Sequence, residues 1–164
     1  MNWDFEGRVA IITGGSDGIG RQTSELLAQS GATVIVCARG LDKLEATRAA
    51  IEAAGGKVET HQLDVSDADA YAALVADVAA RHGRLDMMVN NAMSVHYAPI
   101  EHLTLDHWRK DFAVNAEAVF TGTKAAMAVM KPARRGSIVN VSSTTAIRAA
   151  PCIRRRRASS VAFS

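Results

Sequence analysis

The sequence predicts an α/β fold, a doubly wound parallel sheet of about five strands with helices on both faces. Three observations carry this. Short apolar runs alternate with longer amphipathic stretches from Arg8 to Val141. The runs are nearly continuous in apolar residues, as in strands covered on both sides, and do not alternate as half-solvated strands do. No hairpin signal joins any two of them, so the connections are crossovers, which are right-handed.

The elements follow in order. Arg8–Thr13 (RVAIIT) is a buried strand leading into the glycine-rich GGSDGIG. Helical spacing from Ile19 to about Ser30 runs through Ile19, Thr23, Leu26 and Leu27, and Gly31 stops it. Thr33–Ala38 is a second β-branched run, and Leu41–Ala54 a helix closed by Gly55-Gly56. Lys57–Leu63 is a weaker strand, after which Ser66 can cap a helix from Asp67 to about His82. Leu85–Val89 is the fourth strand. Thr104 can cap a broken helical region that ends at Met130, before Pro132, and Ser137–Val141 is the fifth strand. No repeat of solenoid period is present.

Composition restricts the function classes. At 164 residues, 48% hydrophobic and 22% charged, the chain fits one soluble domain with its own core. Aromatics are 5%, so that core is expected to rest on Val, Ile, Leu, Ala and Met. No apolar run reaches the ~18 residues of a membrane span. The acidic N-terminus, MNWDFEGRVAII, is unlike a signal peptide. Cys37 and Cys152 give neither a disulfide framework nor a metal spacing, which points to a reducing cytoplasm. His102 and His107 lack the i, i+4 spacing of a helical metal pair, so no metal site is expected. All 17 acidic residues but only 15 of 19 basic ones precede Pro151, so residues 1–150 carry −2 and the overall +2 comes from Arg154–Arg157. Four arginines with no interleaved aromatic make a poor nucleic-acid or membrane-surface site.

The segment Thr13-Gly14-Gly15-Ser16-Asp17-Gly18-Ile19-Gly20 joins the first strand to the first helix, where a doubly wound sheet binds a dinucleotide. Glycines at 14, 18 and 20 permit a tight turn, backbone approach to phosphate and close helix–strand packing. The new helix presents free N–H groups and its positive dipole end to the pyrophosphate. Gly14, Ser16, Asp17, Gly18, Ile19 and Gly20 are therefore candidate cofactor-binding residues.

The spacing G-x-x-x-G-x-G resembles that of the classical short-chain dehydrogenase/reductase family, whose fold is Rossmann-like. Four further motifs in the right order extend the resemblance from Arg8 to Ser143. Asp64-Val65 follows the third strand, where the family holds the adenine. Asn90-Asn91-Ala92 ends the fourth strand, as in the family's Asn-Asn-Ala-Gly motif, adding Asn91 and Ala92 to the cofactor set. Asn115 in VNAEAVF matches the family's active-site asparagine, and Ser143 in SIVNVSS its active-site serine. Met93 stands where the motif has glycine, beside the expected nicotinamide. It could alter the fit or simply pack aside.

An acid at the end of the second strand favours NAD, and a nearby base favours the 2′-phosphate of NADP. Ala38 holds the acid's place and Arg39 follows, so NADP(H) is favoured over NAD(H), although Asp17 in the glycine loop opposes a phosphate. The resemblance implies hydride transfer between nicotinamide and a carbonyl or alcohol carbon of a small-molecule substrate. It also implies a Tyr-x-x-x-Lys pair as proton donor, commonly some thirteen residues after the serine. Arg156 and Ser160 occupy those positions. The only tyrosines are Tyr71 and Tyr97, neither followed by lysine at +4.

Residues 1–150 thus read as a partial dinucleotide-binding domain and 151–164 as a basic tail foreign to the family. Lacking the Tyr-x-x-x-Lys pair, the chain as given is expected to be an inactive portion of such an oxidoreductase, and a non-catalytic nucleotide-binding role is the alternative. A frameshift near Pro151 would produce such an arginine run, in which case translation of the other frames is expected to recover the missing pair; a natural truncation is the alternative if neither frame does. Family members form oligomers through two helices of which only one is present here, so the same assembly is not assumed. His96 and Tyr97 follow the fourth strand, where substrate contact and simple solvation both remain open.

Overall fold

The computed structural model describes residues 3–143. The arginine run, Cys152 and the positions of Arg156 and Ser160 lie outside them.

Five parallel strands form one sheet in the order β3-β2-β1-β4-β5. They are β1 (Val9–Thr13), β2 (Thr33–Ala38), β3 (Lys57–Gln62), β4 (Met87–Asn90) and β5 (Ser137–Asn140). The helices are α1 (Gly18–Gln29), α2 (Leu41–Ala53), α3 (Ala68–His82), α4 (Leu105–Phe112) and α5 (Ala118–Ala133). A short 3-10 turn, Ile100–His102, precedes α4, and a π-helical segment, Ala113–Glu117, joins α4 to α5. The chain steps from β1 outward through β2 and β3, then returns to place β4 on the other side of β1. That reversal opens a crevice at the carboxyl ends of β1 and β4.

Successive strand residues face opposite sides, which makes two cores. Val9, Ile11, Ile35 and Met88 pack under α3 and α5 with Val75, Val78 and Ala126. Ala10, Ile12, Val34, Val36 and Val89 pack under α1 and α2 with Leu44 and Ile51. The predicted aliphatic core has one aromatic at its centre. Tyr71 is fully buried, its hydroxyl donating to Asn90 Oδ1 at 2.7 Å. Asn90 Nδ2 in turn donates to Asn140 Oδ1 at 2.8 Å, tying the ends of β4 and β5 together.

Three local expectations are corrected. The buried stripe of α1 is Gly20, Ser24 and Ala28, whereas Ile19 and Leu26 are 67% and 63% exposed. Small residues let α1 lie close on the sheet, so the apolar spacing marked the wrong face. Asp67, not Ser66, caps α3, accepting from Ala70 N at 3.0 Å. Ser66 is diverted, its hydroxyl donating to Asp64 Oδ1 at 2.7 Å. Finally α5 runs through Pro132 to Ala133 and ends at Arg134, whose φ is 53°. A proline in the last turn removes one hydrogen bond without breaking the helix. No helix among the described residues is long and apolar enough to cross a membrane.

Candidate dinucleotide and active site

The loop between β1 and α1 is held from three sides. Gly15 N donates to Cys37 O at the end of β2. The Thr47 hydroxyl of α2, which donates to Lys43 O at 2.9 Å, packs against Ser16 O at 3.4 Å. The segment after β4 supplies the third side. Asn91 Nδ2 donates to Thr13 O at 3.0 Å and Gly14 O at 3.2 Å. The backbone N–H groups of Asn91 and Ala92 donate to Thr13 Oγ1 at 3.0 and 3.1 Å. Both amide hydrogens of Asn91 are thus committed to the loop's shape.

The glycines divide into two roles. A Cβ on Gly20 would lie 2.3 Å from Gly14 O and 2.4 Å from Asn91 Nδ2, so close packing alone requires glycine there. Gly18 has φ +50° and open space where its Cβ would be, at the point where α1 begins. The first-turn N–H groups of Ile19 and Gly20 have no acceptor within the helix. Such a cradle accepts an anion. The residues present therefore fit a dinucleotide pyrophosphate.

Asp17 caps α1, accepting from Gly18 N at 2.8 Å, and pairs with Lys43 Nζ at 2.5 Å. The Lys43 ammonium, followed by the Gly18 N–H, holds the Asp17 carboxyl below the usual range. The carboxylate expected to oppose a phosphate is thus partnered by a cation that the sequence reading missed. Twenty-six residues separate the two, and no local pattern joins them.

Ala38 ends β2, and Arg39 beyond it is exposed. Asp64 is exposed after β3, its carboxyl lowered by hydrogen bonds from the Ser66 hydroxyl and backbone and by nearby Arg39. Val65 is buried, its side chain in the core under α3. Gly14, Asp17, Gly18, Arg39, Asp64 and Asn91 therefore all lie at the carboxyl ends of the strands, around one crevice.

The active-site half is less complete. Asn115 falls in the π-helical segment, a geometry frequent at functional sites. Its Nδ2 donates to Ser94 O at 2.6 Å, and its Oδ1 accepts from Ser94 N at 3.0 Å. Four residues earlier, Asp111 accepts from Ser94 Oγ at 2.7 Å and His96 N at 3.0 Å, with His96 Nδ1 at 2.8 Å. Burial pushes the Asp111 carboxyl up, but these hydrogen bonds prevail and hold it low. Asn115 and Asp111 together clamp the loop after β4 onto α4. His96 stacks on His107 with ring centres 4.5 Å apart. Tyr97 and Met93 are exposed at 84% and 68%, so Met93 does not tuck into the protein. Ser143 lies three residues beyond β5 and is exposed. Among the described residues, no group of three or more His, Cys, Asp or Glu is placed to hold a metal.

A sheet ordered 3-2-1-4-5 with a glycine cradle at its reversal defines a dinucleotide-binding α/β protein. The family model for short chain dehydrogenases matches residues 8–159. The chain is 38% identical over 143 residues to the 3-oxoacyl-(acyl-carrier-protein) reductase FabG of Thermotoga maritima, covering 87% of this chain and 58% of that protein. A metagenomic short-chain oxidoreductase in complex with NADP superposes with a TM-score of 0.81 at 40% identity, covering 84% of this chain and 63% of that one. An NAD+-bound xylitol dehydrogenase superposes with a TM-score of 0.84 at 26% identity, covering 90% and 57%. The chain belongs to the short-chain dehydrogenase/reductase family. It spans just over half the length of the curated relatives it matches.

Proposed function

We propose that this chain is the dinucleotide-binding part of an NADP-dependent short-chain reductase, and that as given it binds the cofactor without turning it over. The observation carrying the cofactor choice is the end of β2, where Ala38 replaces a carboxylate and exposed Arg39 follows. A guanidinium fork suits a phosphate and gains nothing from an unmodified ribose hydroxyl.

When bound, NADP(H) supplies or accepts the hydride. The Gly14–Gly20 loop and the start of α1 hold the pyrophosphate, Asp64 and the Val65 backbone orient the adenine, and Arg39 takes the 2′-phosphate. Asn91 and Ala92 keep the loop in shape. Ser143 is assigned to the substrate carbonyl oxygen, and Asn115 keeps the loop after β4 on the rim. Proton transfer needs a group that exchanges near neutrality beside a cation that lowers its pKa. Tyr71 cannot serve, being buried, hydrogen-bonded to Asn90 and followed four residues on by Val75. Arginine and serine at 156 and 160 cannot exchange that proton. The same cradle supports the non-catalytic nucleotide-binding reading, which differs only in the absence of any reaction.

Fluorescence titration with NADPH and NADH tests the cofactor choice. NADPH is expected to bind at least about tenfold more tightly, and Arg39→Ala to erase the difference. No binding at millimolar cofactor would remove the proposal. Carbonyl-dependent NADPH oxidation above background would overturn the absence of turnover.

A further inference from the structure

We propose that Lys43 is a second cofactor-specificity residue, an ammonium held by Asp17 at the mouth of the crevice to meet a ribose 2′-phosphate beside Arg39. This rests on the NADP reading above. Arg39 leaves β2, and α2 begins two residues later at Leu41, which puts Lys43 in its first turn. One turn further on, Thr47 is fully buried, its hydroxyl donating to Lys43 O at 2.9 Å and lying 3.4 Å from Ser16 O, which puts this face of α2 against the glycine loop. Lys43 follows that face outward to Asp17, and both side chains remain largely exposed, at 65% and 70%. The ammonium is therefore drawn to the loop by Asp17 and open to a ligand.

Charge balance gives it a task. Without Lys43, Arg39 would face Asp17 in the loop, Asp42 in the first turn of α2 and Asp64 after β3, helped only by Arg21, which acts on Asp17 but is paired with Glu25. A phosphate carrying nearly two negative charges would then meet more carboxylates than cations. Lys43 offsets Asp17 and offers its remaining donors outward, since an ammonium has three and Asp17 Oδ2 takes one. An ammonium bonds a dianionic phosphate far more strongly than a ribose hydroxyl, so its effect falls mainly on NADP.

Titration of the full chain with NADPH and NADH tests this, using Lys43→Ala, Lys43→Arg, Arg39→Ala, Asp17→Asn and the Asp17→Asn/Lys43→Ala pair. Lys43→Ala is expected to weaken NADPH about tenfold and to change NADH less than about twofold. Lys43→Arg should keep the preference, and Lys43→Ala should still weaken NADPH in the Asp17→Asn background. A double variant that binds NADPH as well as Asp17→Asn alone would overturn the proposal, because Lys43 would then only neutralise Asp17. Equal losses for both cofactors would also overturn it. NADPH binding that responds to Arg39→Ala but not to Lys43→Ala removes Lys43 alone. Absence of NADPH preference in the unsubstituted chain removes the NADP reading with it.

Discussion

The two flanks of the sheet are built to different standards. On the β1–β2 side every residue of β1 is buried, β2 is buried except at its ends, and the edge strand β3 is half-buried between exposed end residues. On the other side β5 is mostly exposed, with Val139 at 52%. The helices beside it leave Trp108, Phe120 and Met127 exposed, as α1 and α2 leave Ile19, Leu26 and Leu41, so the flanks differ in their strands and not in their helices. The difference matches the chemistry each flank carries. The phosphate cradle is fixed by hydrogen bonds among residues 13–37 and 91–92. Ser143 stands at the margin of the flank that is packed least among the described residues.

The comparison breaks first at Gly20. Gly20→Val places a side chain where even a Cβ meets Gly14 O at 2.3 Å, so about 3 kcal/mol of stability or more should be lost in a denaturant melt. A melt like that of the parent chain would mean that the loop is not clamped. Asn90→Ala comes next. It strands the buried Tyr71 hydroxyl and frees Asn140, and about 2 kcal/mol should be lost.

A pH titration of stability probes the opposite end of the sheet, where Asp86 accepts from Val9 N and Arg84 and pairs with Arg8. Burial raises the Asp86 carboxyl, but Arg84, the Val9 N–H and Arg8 bring it down from 3.8 to about 2. Because the folded value is the lower one, the stabilisation is present above pH 3.8 and lost as the pH falls toward about 2. Its size is about 2 kcal/mol. Asp86→Asn should flatten that part of the pH–stability curve, and an unchanged acid limb would show that other carboxylates dominate. The smallest effect is expected on the exposed flank. Trp108→Ser and Phe120→Ser should each shift the stability of the chain by no more than about 0.5 kcal/mol. A larger loss for either would mean that the α4–α5 face is covered in solution.

Much of this was legible in the sequence. The strand–loop–helix order, the five strands and the position of the glycine loop follow from periodicity and spacing, whereas Asn91 and Asn115 were singled out only by the resemblance to the family. What escaped is non-local or built of small residues. The Gly20, Ser24 and Ala28 face of α1 carries little hydrophobicity, so Ile19 and Leu26 outweighed it. Tyr71 stood out in the sequence only for lacking a lysine four residues on, and the buried bond that satisfies its hydroxyl reaches Asn90, 19 residues away. The Asp17–Lys43 pair and the hold of Asp111 on Ser94 and His96 join segments that no short pattern links. Ser66 was the expected cap of α3, but Asp64 captures its hydroxyl and Asp67 takes the cap one residue later.

Hydrogen–deuterium exchange of the chain with and without NADPH tests the division between the flanks most directly. Added protection is predicted in residues 13–20, 36–43 and 90–93, with residues 105–130 unchanged. Protection confined to 105–130, or none anywhere at saturating NADPH, would contradict it.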